Sequence, residues 1–119
     1  MSTVRRGAEG EQKAAAYMQA SGWTVLERNF RGAGAEIDII AEKGDTVAFV
    51  EVKAWKALPQ GELEHSIDSR KQARIARAAR SWLSRSFARP ERRLRFDVIF
   101  LGGESGLRHI ENAFSGGID

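Results

Sequence analysis

Two short runs of β-branched and apolar residues near the middle of the chain predict a β-hairpin. Residues 36–40 and 49–53 have this composition, which is typical of strands. Between them, Gly44 and Asp45 are residue types that favour a tight two-residue turn. We therefore predict two antiparallel strands joined at this turn.

The charged residues of this hairpin are predicted to gather at one end of the sheet. Side chains alternate between the two faces of a strand. Glu36 and Asp38 therefore share one face of the first strand, and the isoleucines on either side of Asp38 take the other. By the same rule, Glu51 and Lys53 share one face of the second strand. The antiparallel pairing then brings Asp38, Glu51 and Lys53 close together.

Two helices are predicted outside the hairpin. Residues 5–20 are mostly good helix formers, and Gly22 provides a stop. Residues 66–87 form the second, longer helix, for which Ser66 or Asp68 is the expected cap. Apolar or small residues recur along this helix at helical spacing. The resulting core stripe consists of Ile75, Ala79, Trp82, Leu83 and Ser86.

Three further strands complete the pattern, at residues 23–30, 94–101 and 107–112. The order α-β-β-β-α-β-β is typical of an α/β fold in which helices flank a mixed five-stranded sheet. The strand after the long helix is expected inside the sheet, parallel to a hairpin strand and reached by a crossover. Within that strand, Asp97 is expected to pair with a nearby arginine and to have a structural role.

The length and composition of the chain narrow the class of protein. A length of 119 residues suits a single domain spanning residues 1–119. No apolar run approaches the length of a membrane span, and the N-terminus lacks an apolar signal region, so we expect a cytoplasmic protein with no membrane contact. The absence of cysteine excludes disulfides and thiolate zinc sites.

Positive charge is concentrated in one part of the chain. The net charge is only +3, but ten basic residues and a single acid lie between Arg70 and Arg95. This asymmetry is typical of a protein that binds nucleic acid, although a solvated helix face explains the charge equally well. The arginines opposite the core stripe of the long helix are Arg70, Arg74, Arg77 and Arg85, with Arg80 at the edge.

The hairpin carboxylates have two interpretations. Adjacent carboxylates repel each other, and a divalent cation removes that conflict; hard oxygen ligands suit magnesium. A lysine beside them can hold a phosphate oxygen or orient a water molecule. The alternative is a surface ladder of salt bridges across the hairpin.

An acid, a short hairpin and Glu-x-Lys resemble the PD-(D/E)xK motif of the restriction-endonuclease-like nucleases. A wider ordered set resembles the bacterial YraN-like family (uncharacterised protein family 0102), itself similar to archaeal Holliday-junction resolvases. That set comprises Gly10-Glu11 with Ala14 and Tyr17, Glu27-Arg28-Asn29-Phe30, Glu36-Ile37-Asp38, Phe49-Val50-Glu51-Val52-Lys53, Lys71-Gln72, Arg95-Phe96-Asp97-Val98 and His109-Ile110-Glu111-Asn112-Ala113-Phe114.

The resemblance implies a restriction-endonuclease-like fold and a metal-dependent nuclease that hydrolyses phosphodiester bonds in DNA, including branched structures. Asp38 and Glu51 would bind Mg²⁺, or Mn²⁺ in its place, and Lys53 would position the attacking water. The resemblance adds Glu11 to the metal ligands, whereas position alone favours an ordinary exposed glutamate in the first helix. A resolvase-like reaction needs two sites, which implies a homodimer.

The same resemblance extends the expected nucleic-acid surface. Where the family usually has an arginine, this chain has Trp55, which either stacks on a base or packs into the core. Lys56 could supply the missing charge, and Lys71 is directed toward the active site by the family pattern. The expected nucleic-acid-binding residues are Arg70, Lys71, Arg74, Arg77, Trp55 and Lys56. Two alternatives stay open: a binding module without catalysis, and an adaptor in DNA repair or uptake.

Overall fold

The computed structural model describes residues 3–54, 68–85, 92–102 and 106–115. Two helices and five strands follow one another in the order predicted from the sequence. The elements are α1 Thr3–Ala20, β1 Thr24–Gly32, β2 Ala35–Lys43, β3 Thr46–Ala54, α2 Ser69–Arg85, β4 Arg93–Gly102 and β5 Gly106–Phe114. The described helices include none that is both long and apolar enough to cross a membrane.

The five strands form one mixed sheet in the order β1-β2-β3-β4-β5. The predicted hairpin is confirmed: β2 and β3 are antiparallel, their last pair is Lys43 with Thr46, and Gly44 takes φ 61° in the turn between them. A positive φ at the first turn position favours glycine. The predicted crossover is also confirmed, because β3 and β4 are parallel and α2 lies between them in the chain.

Apolar side chains cover both faces of the sheet, and one helix packs on each face. On the α2 face, the helix buries most of its predicted core stripe; Ser86 lies outside the described residues. The buried hydrophobic cluster between α2 and the sheet contains Phe30, Ile37, Ile40, Val47, Phe49, Ile75, Ala76, Ala78, Ala79, Trp82, Phe96, Val98 and Phe100. The α1 face is covered by Ala14, Ala15, Met18, Trp23, Ile39, Ala41, Ala48, Val50 and Ile99.

The first turn of α2 is capped by Asp68, one of the two expected caps; the other, Ser66, lies outside the described residues. The Lys71 N–H donates to Asp68 Oδ1 at 2.9 Å. This hydrogen bond lowers the pKa of Asp68, because it favours the charged carboxylate. It also satisfies a donor that the helix leaves unpaired at its N-terminus.

Asp97 is fully buried in β4 and pairs with Arg95, as expected from the sequence. Arg95 Nη2 donates to Asp97 Oδ2 at 2.8 Å, and Arg95 Nε donates to Oδ1 at 3.0 Å. A buried carboxylate without such partners would cost several kcal/mol. The predicted position of this strand inside the sheet is likewise confirmed, since β4 lies between β3 and β5.

One prediction about β2 is wrong: the two isoleucines beside Asp38 do not share a face. Ile37 packs in the α2-face cluster, whereas Ile39 packs in the α1-face cluster. On β1, Asn29 lies between the pairs Arg28–Ile39 and Phe30–Ile37 and has φ 55°. Asparagine tolerates this left-handed conformation, which lies beside the point on β2 where the regular alternation of faces is interrupted.

Candidate active site

The site forms where the ladder between β2 and β3 stops. The last paired residues at this end are Ile39 and Val50. Beyond them, the Val52 N–H donates to Asp38 Oδ2 at 2.8 Å instead of pairing along the strand ladder. A buried N–H needs an acceptor, and here a side-chain carboxylate provides it. Asp38 is thereby held between the two strands at the point where they separate.

Two further acids approach Asp38. Glu11 of α1, Glu36 of β2 and Asp38 each offer a carboxylate oxygen, and the three oxygens lie within 4.8 Å of one another. Asn29 orients Glu11: with its amide nitrogen toward the carboxylate, it donates to Oε1 at 2.8 Å and to Oε2 at 3.1 Å. Glu36 lies at the rim, with its side chain 37% exposed and its Oε2 3.3 Å from Arg31 Nε.

Sequence reasoning placed Glu36 on the face of Asp38 but did not include it in the candidate site. The signal that could have added it is its spacing of two residues from Asp38, which puts both side chains on one face of a regular strand. Glu11, by contrast, was expected there only because of the family resemblance. The structure brings it to Asp38 across the sheet–helix packing.

Glu51 and Lys53 of β3 lie on the α2 side of this cluster. Glu51 Oε1 forms an ion pair with Lys71 Nζ at 2.7 Å, and only 12% of the Glu51 side chain is exposed. The structure therefore directs Lys71 toward the carboxylates rather than outward. Burial lowers the pKa of Lys53, the positive charge of Lys71 lowers it further, and Glu51 opposes both effects.

Asp38 is the most strongly perturbed acid of the cluster. Burial, followed by the charge of Glu51, raises its pKa from 3.8 to about 7, with smaller contributions from Glu11 and Glu36. The hydrogen bond from Val52 acts in the opposite direction but does not compensate. Near neutral pH, the Asp38 carboxyl group is consequently ionised in part of the molecules and protonated in the rest. A positive charge bound beside it would favour the ionised form.

The carboxylates face an open cleft of about 390 Å³ between the sheet end and α2. Acidic and basic side chains both line this cleft, because the carboxylates lie opposite basic residues of α2. The lining residues are Gly34, Ala35, Glu36, Asp38, Glu51, Lys71, Arg74 and Ile75. The cleft is large enough to admit a phosphate group with its bound water.

A row of arginines continues from the cleft along the outer side of α2. Arg70, Arg74 and Arg77 are all exposed, on the side opposite the buried stripe. We call these three residues the basic rail. Trp55 and Lys56, the other two expected nucleic-acid contacts, lie outside the described residues. Arg74 connects the basic rail with the carboxylates, because it lines the same cleft.

Comparisons with known proteins point to one family. The model of uncharacterised protein family UPF0102 matches residues 10–101 of this chain. The chain is 42% identical over 112 residues to a UPF0102 protein of Methylorubrum extorquens, covering 94% of this chain and 86% of the relative. UPF0102 proteins of Erythrobacter litoralis and Persephonella marina are each 40% identical, with 92% of this chain and 92% of the relative covered.

Proposed function

This chain belongs to uncharacterised protein family UPF0102, and we propose that it is a metal-dependent nuclease that hydrolyses phosphodiester bonds in DNA. The resemblance of Asp38, Glu51 and Lys53 to the PD-(D/E)xK motif suggested this activity from the sequence. Branched or otherwise non-canonical DNA is the proposed substrate class, by similarity to the resolvases. Mg²⁺, or Mn²⁺ in its place, is the proposed cofactor.

One observation carries the proposal: the carboxylate of Asp38 is inserted where β2 and β3 separate, and Asp38 lines a cleft to which α2 contributes Lys71 and Arg74. Val52 holds this carboxylate from one strand, and Glu11 and Glu36 approach it within 4.8 Å. A salt-bridge ladder across a hairpin would pair acids with bases. Glu36 and Glu51 do have basic partners, but three carboxylates also converge within 4.8 Å, and burial, followed by the charge of Glu51, raises the pKa of Asp38 to about 7. Such crowding is costly in a purely structural role.

The donor set fits a hard divalent cation. Oxygens bound to one Mg²⁺ at about 2.1 Å can be at most about 4.2 Å apart. The oxygens of Glu11, Glu36 and Asp38 lie within 4.8 Å of one another, so small side-chain rotations would bring them to that spacing. Glu51, a predicted ligand, lies outside this group of three acids but close enough to raise the pKa of Asp38, and it could join the set after leaving Lys71. A bound cation would polarise the phosphoryl oxygen and lower the pKa of a bound water.

The basic residues have complementary roles in this proposal. Lys53 shares the β3 face with Glu51, two residues away, and its ammonium orients the attacking water and stabilises charge on the phosphate. Its pKa is lowered by partial burial and by the nearby positive charge of Lys71, and burial also strengthens the interaction of its ammonium with a neighbouring charge. The basic rail holds the DNA backbone, because arginine contacts phosphate oxygens in bidentate geometry.

The test is cleavage of linear duplex, single-stranded and four-way-junction DNA, each with Mg²⁺, with Mn²⁺ and with chelator. Asp38→Asn should abolish metal-dependent cleavage. Asp45→Asn is the matched control, because it makes the same change at the exposed tip of the same hairpin. Cleavage that persists in Asp38→Asn, or that survives chelation, would rule out the proposed site.

The Lys71–Glu51 ion pair favours a second candidate function, a nucleic-acid-binding module without catalysis. The Lys71 ammonium already neutralises the Glu51 carboxylate at 2.7 Å, so Glu51 needs no metal ion to balance its charge. In that case the protein would bind DNA through the basic rail, with equal affinity in metal and in chelator, and would cleave none of the three substrates. The same set of incubations therefore separates the two functions.

A further inference from the structure

A second polar cluster lies on the α1 face of the sheet, away from the cleft. Its centre is Asp97, which is fully buried and accepts from Arg95 as described above. It also accepts from the Asn112 N–H at 3.0 Å, and its Oδ2 lies 2.7 Å from His109 Nε2. Burial alone would raise the pKa of Asp97, but the hydrogen bonds from His109, Arg95 and Asn112 together hold it below its ordinary value. The carboxylate is therefore a charged, fully bonded anchor.

His109 extends this anchor to α1. Because the Asp97 carboxylate only accepts, His109 Nε2 donates to it, and His109 Nδ1 is left to form a hydrogen bond with the Tyr17 hydroxyl. The Tyr17 oxygen lies 2.9 Å from this nitrogen, and the two rings meet edge to face with centroids 5.4 Å apart. The His109 side chain is 7% exposed, so water competes little for these bonds. Strands β4 and β5 thus hold a defined point on α1.

A second contact lies two turns away on the same side of the helix. Gly10 and Tyr17 are seven residues apart, which puts them about 10.5 Å apart along the axis and almost on one line. A Cβ at Gly10 would lie only 3.1 Å from Leu101 Cδ1, so the helix backbone lies close to β4 there. The next residue, Glu11, projects about 100° further around the axis, toward Glu36 and Asp38. The direction of Glu11 therefore depends on how α1 is rotated.

We propose that the hydrogen-bonded chain Asp97–His109–Tyr17 is a positioning device that sets the rotation of α1 and so holds Glu11 against Asp38 and Glu36. The proposal rests on the proposed function in one respect, since it treats Glu11 as a metal-binding carboxylate. Tyr17, His109 and Asp97 touch neither metal nor substrate; they act through the helix. The Arg28–Gln12 hydrogen bond also links α1 to the sheet, but it is exposed, and water competes for it.

The test is a double-mutant cycle read by Mn²⁺ affinity, with free ion followed by electron paramagnetic resonance. Tyr17→Phe removes one oxygen from the chain and should weaken Mn²⁺ binding roughly tenfold, the loss usual for a group that orients a ligand. Glu11→Gln removes the ligand itself. Adding Tyr17→Phe to Glu11→Gln should then have no further effect, because the positioned group is gone. Ser21→Ala is the matched control, since it removes an exposed hydrogen bond to the Tyr17 carbonyl of the same helix.

Equal weakening by Tyr17→Phe in both backgrounds, or no weakening in the wild-type background, would overturn the positioning role. Hydrogen exchange of the α1 amides keeps this outcome separate from failure of the proposed function. If the wild-type protein binds no Mn²⁺, the nuclease proposal fails, and exchange decides the positioning role. Faster exchange around Glu11 in Tyr17→Phe than in Ser21→Ala would then support it, and identical exchange in the two variants would overturn it.

Discussion

Glu51 Oε1 lies 2.7 Å from Lys71 Nζ, so a side chain of α2 neutralises a carboxylate on the α2 side of the candidate site. The same ammonium group belongs to the wall of the cleft that carries Arg74. A divalent cation and a lysine cannot both use the same carboxylate oxygen at full strength. Lys71 is therefore expected to compete with metal for Glu51 and to be available to phosphate once the metal has bound.

Replacing Lys71 should strengthen metal binding. In Lys71→Gln, Glu51 loses its internal cation, and Mn²⁺ affinity should rise by roughly fivefold, which corresponds to about 1 kcal/mol for a partly exposed ion pair. Arg70→Gln is the matched control, because it removes a neighbouring exposed charge from the same helix turn. Titration of both variants by calorimetry checks the prediction. A rise of equal size in the two variants would mean that general charge, rather than the ion pair, controls the affinity.

The stability of the metal-free protein should fall between about pH 4 and pH 7 because of Asp38. The pKa of this group is raised from 3.8 in its ordinary state to about 7 in the fold. In that window the folded protein keeps a proton that the unfolded chain has released, so rising pH favours unfolding. Asp38→Asn should remove this fall and leave the variant more stable than wild type at pH 8, by roughly 2–4 kcal/mol.

Urea unfolding in chelator at pH 4, 6 and 8 measures the effect. Asp45→Asn serves as the control, because the same substitution at an exposed position should leave the pH dependence of wild type unchanged. The interpretation of Asp38 would be wrong if wild type and Asp38→Asn lost stability in parallel as the pH rose.

The basic rail should control the salt dependence of DNA binding. Replacing Arg70, Arg74 and Arg77 by alanine should weaken binding to all sequences similarly. The slope of log affinity against log salt should fall by roughly one unit for each phosphate group that the variant no longer binds. Fluorescence anisotropy over a range of salt concentrations measures this slope. Lys13→Ala, which removes an exposed charge from α1, should leave it nearly unchanged; an unaltered slope in the triple variant would exclude α2 from the binding surface.

Lys53 should separate catalysis from metal binding. Lys53→Ala should slow cleavage by roughly 10²–10³-fold, the usual effect of removing one preorganised electrostatic interaction, while Mn²⁺ still binds. Lys53→Arg should restore little activity, because a planar guanidinium cannot replace a compact ammonium in a narrow site. Single-turnover cleavage and Mn²⁺ titration on the same preparations check both statements. Wild-type rates in both variants would leave Lys53 without a role in the reaction.

Local pattern was sufficient to predict the elements that this site is built on. The hairpin follows from two β-rich runs around Gly44 and Asp45, and the buried stripe of α2 follows from helical spacing. Asp38, Glu51 and Lys53 could be assigned to one sheet end because strand alternation and a two-residue turn leave little freedom in the pairing. These features depend on residues close together in the chain.

Other features of the site depend on where the strands depart from regularity. A period-two pattern does not predict that β2 separates from β3 beyond Ile39. Nor does it predict that Ile37 and Ile39 lie on different faces of the sheet. The change of face lies beside the left-handed Asn29 of β1, and the separation begins where the pairing of β2 with β3 ends. Where the two strands separate, the Val52 N–H bonds to a side chain, and Asp38 is held between the strands.

The sequence by itself therefore determined the order of elements, the hairpin and the charged residues that the hairpin carries. Tertiary structure decided the long-range contacts: Glu11 of α1 and Lys71 of α2, expected at the site only from the family resemblance, meet the hairpin acids, and Tyr17 pairs with His109 across 92 positions of the chain. The physical reason is that helix rotation and helix–sheet packing depend on the summed contacts of the whole core. Those contacts do not recur at a regular spacing along the chain, so they cannot be predicted from a local sequence pattern.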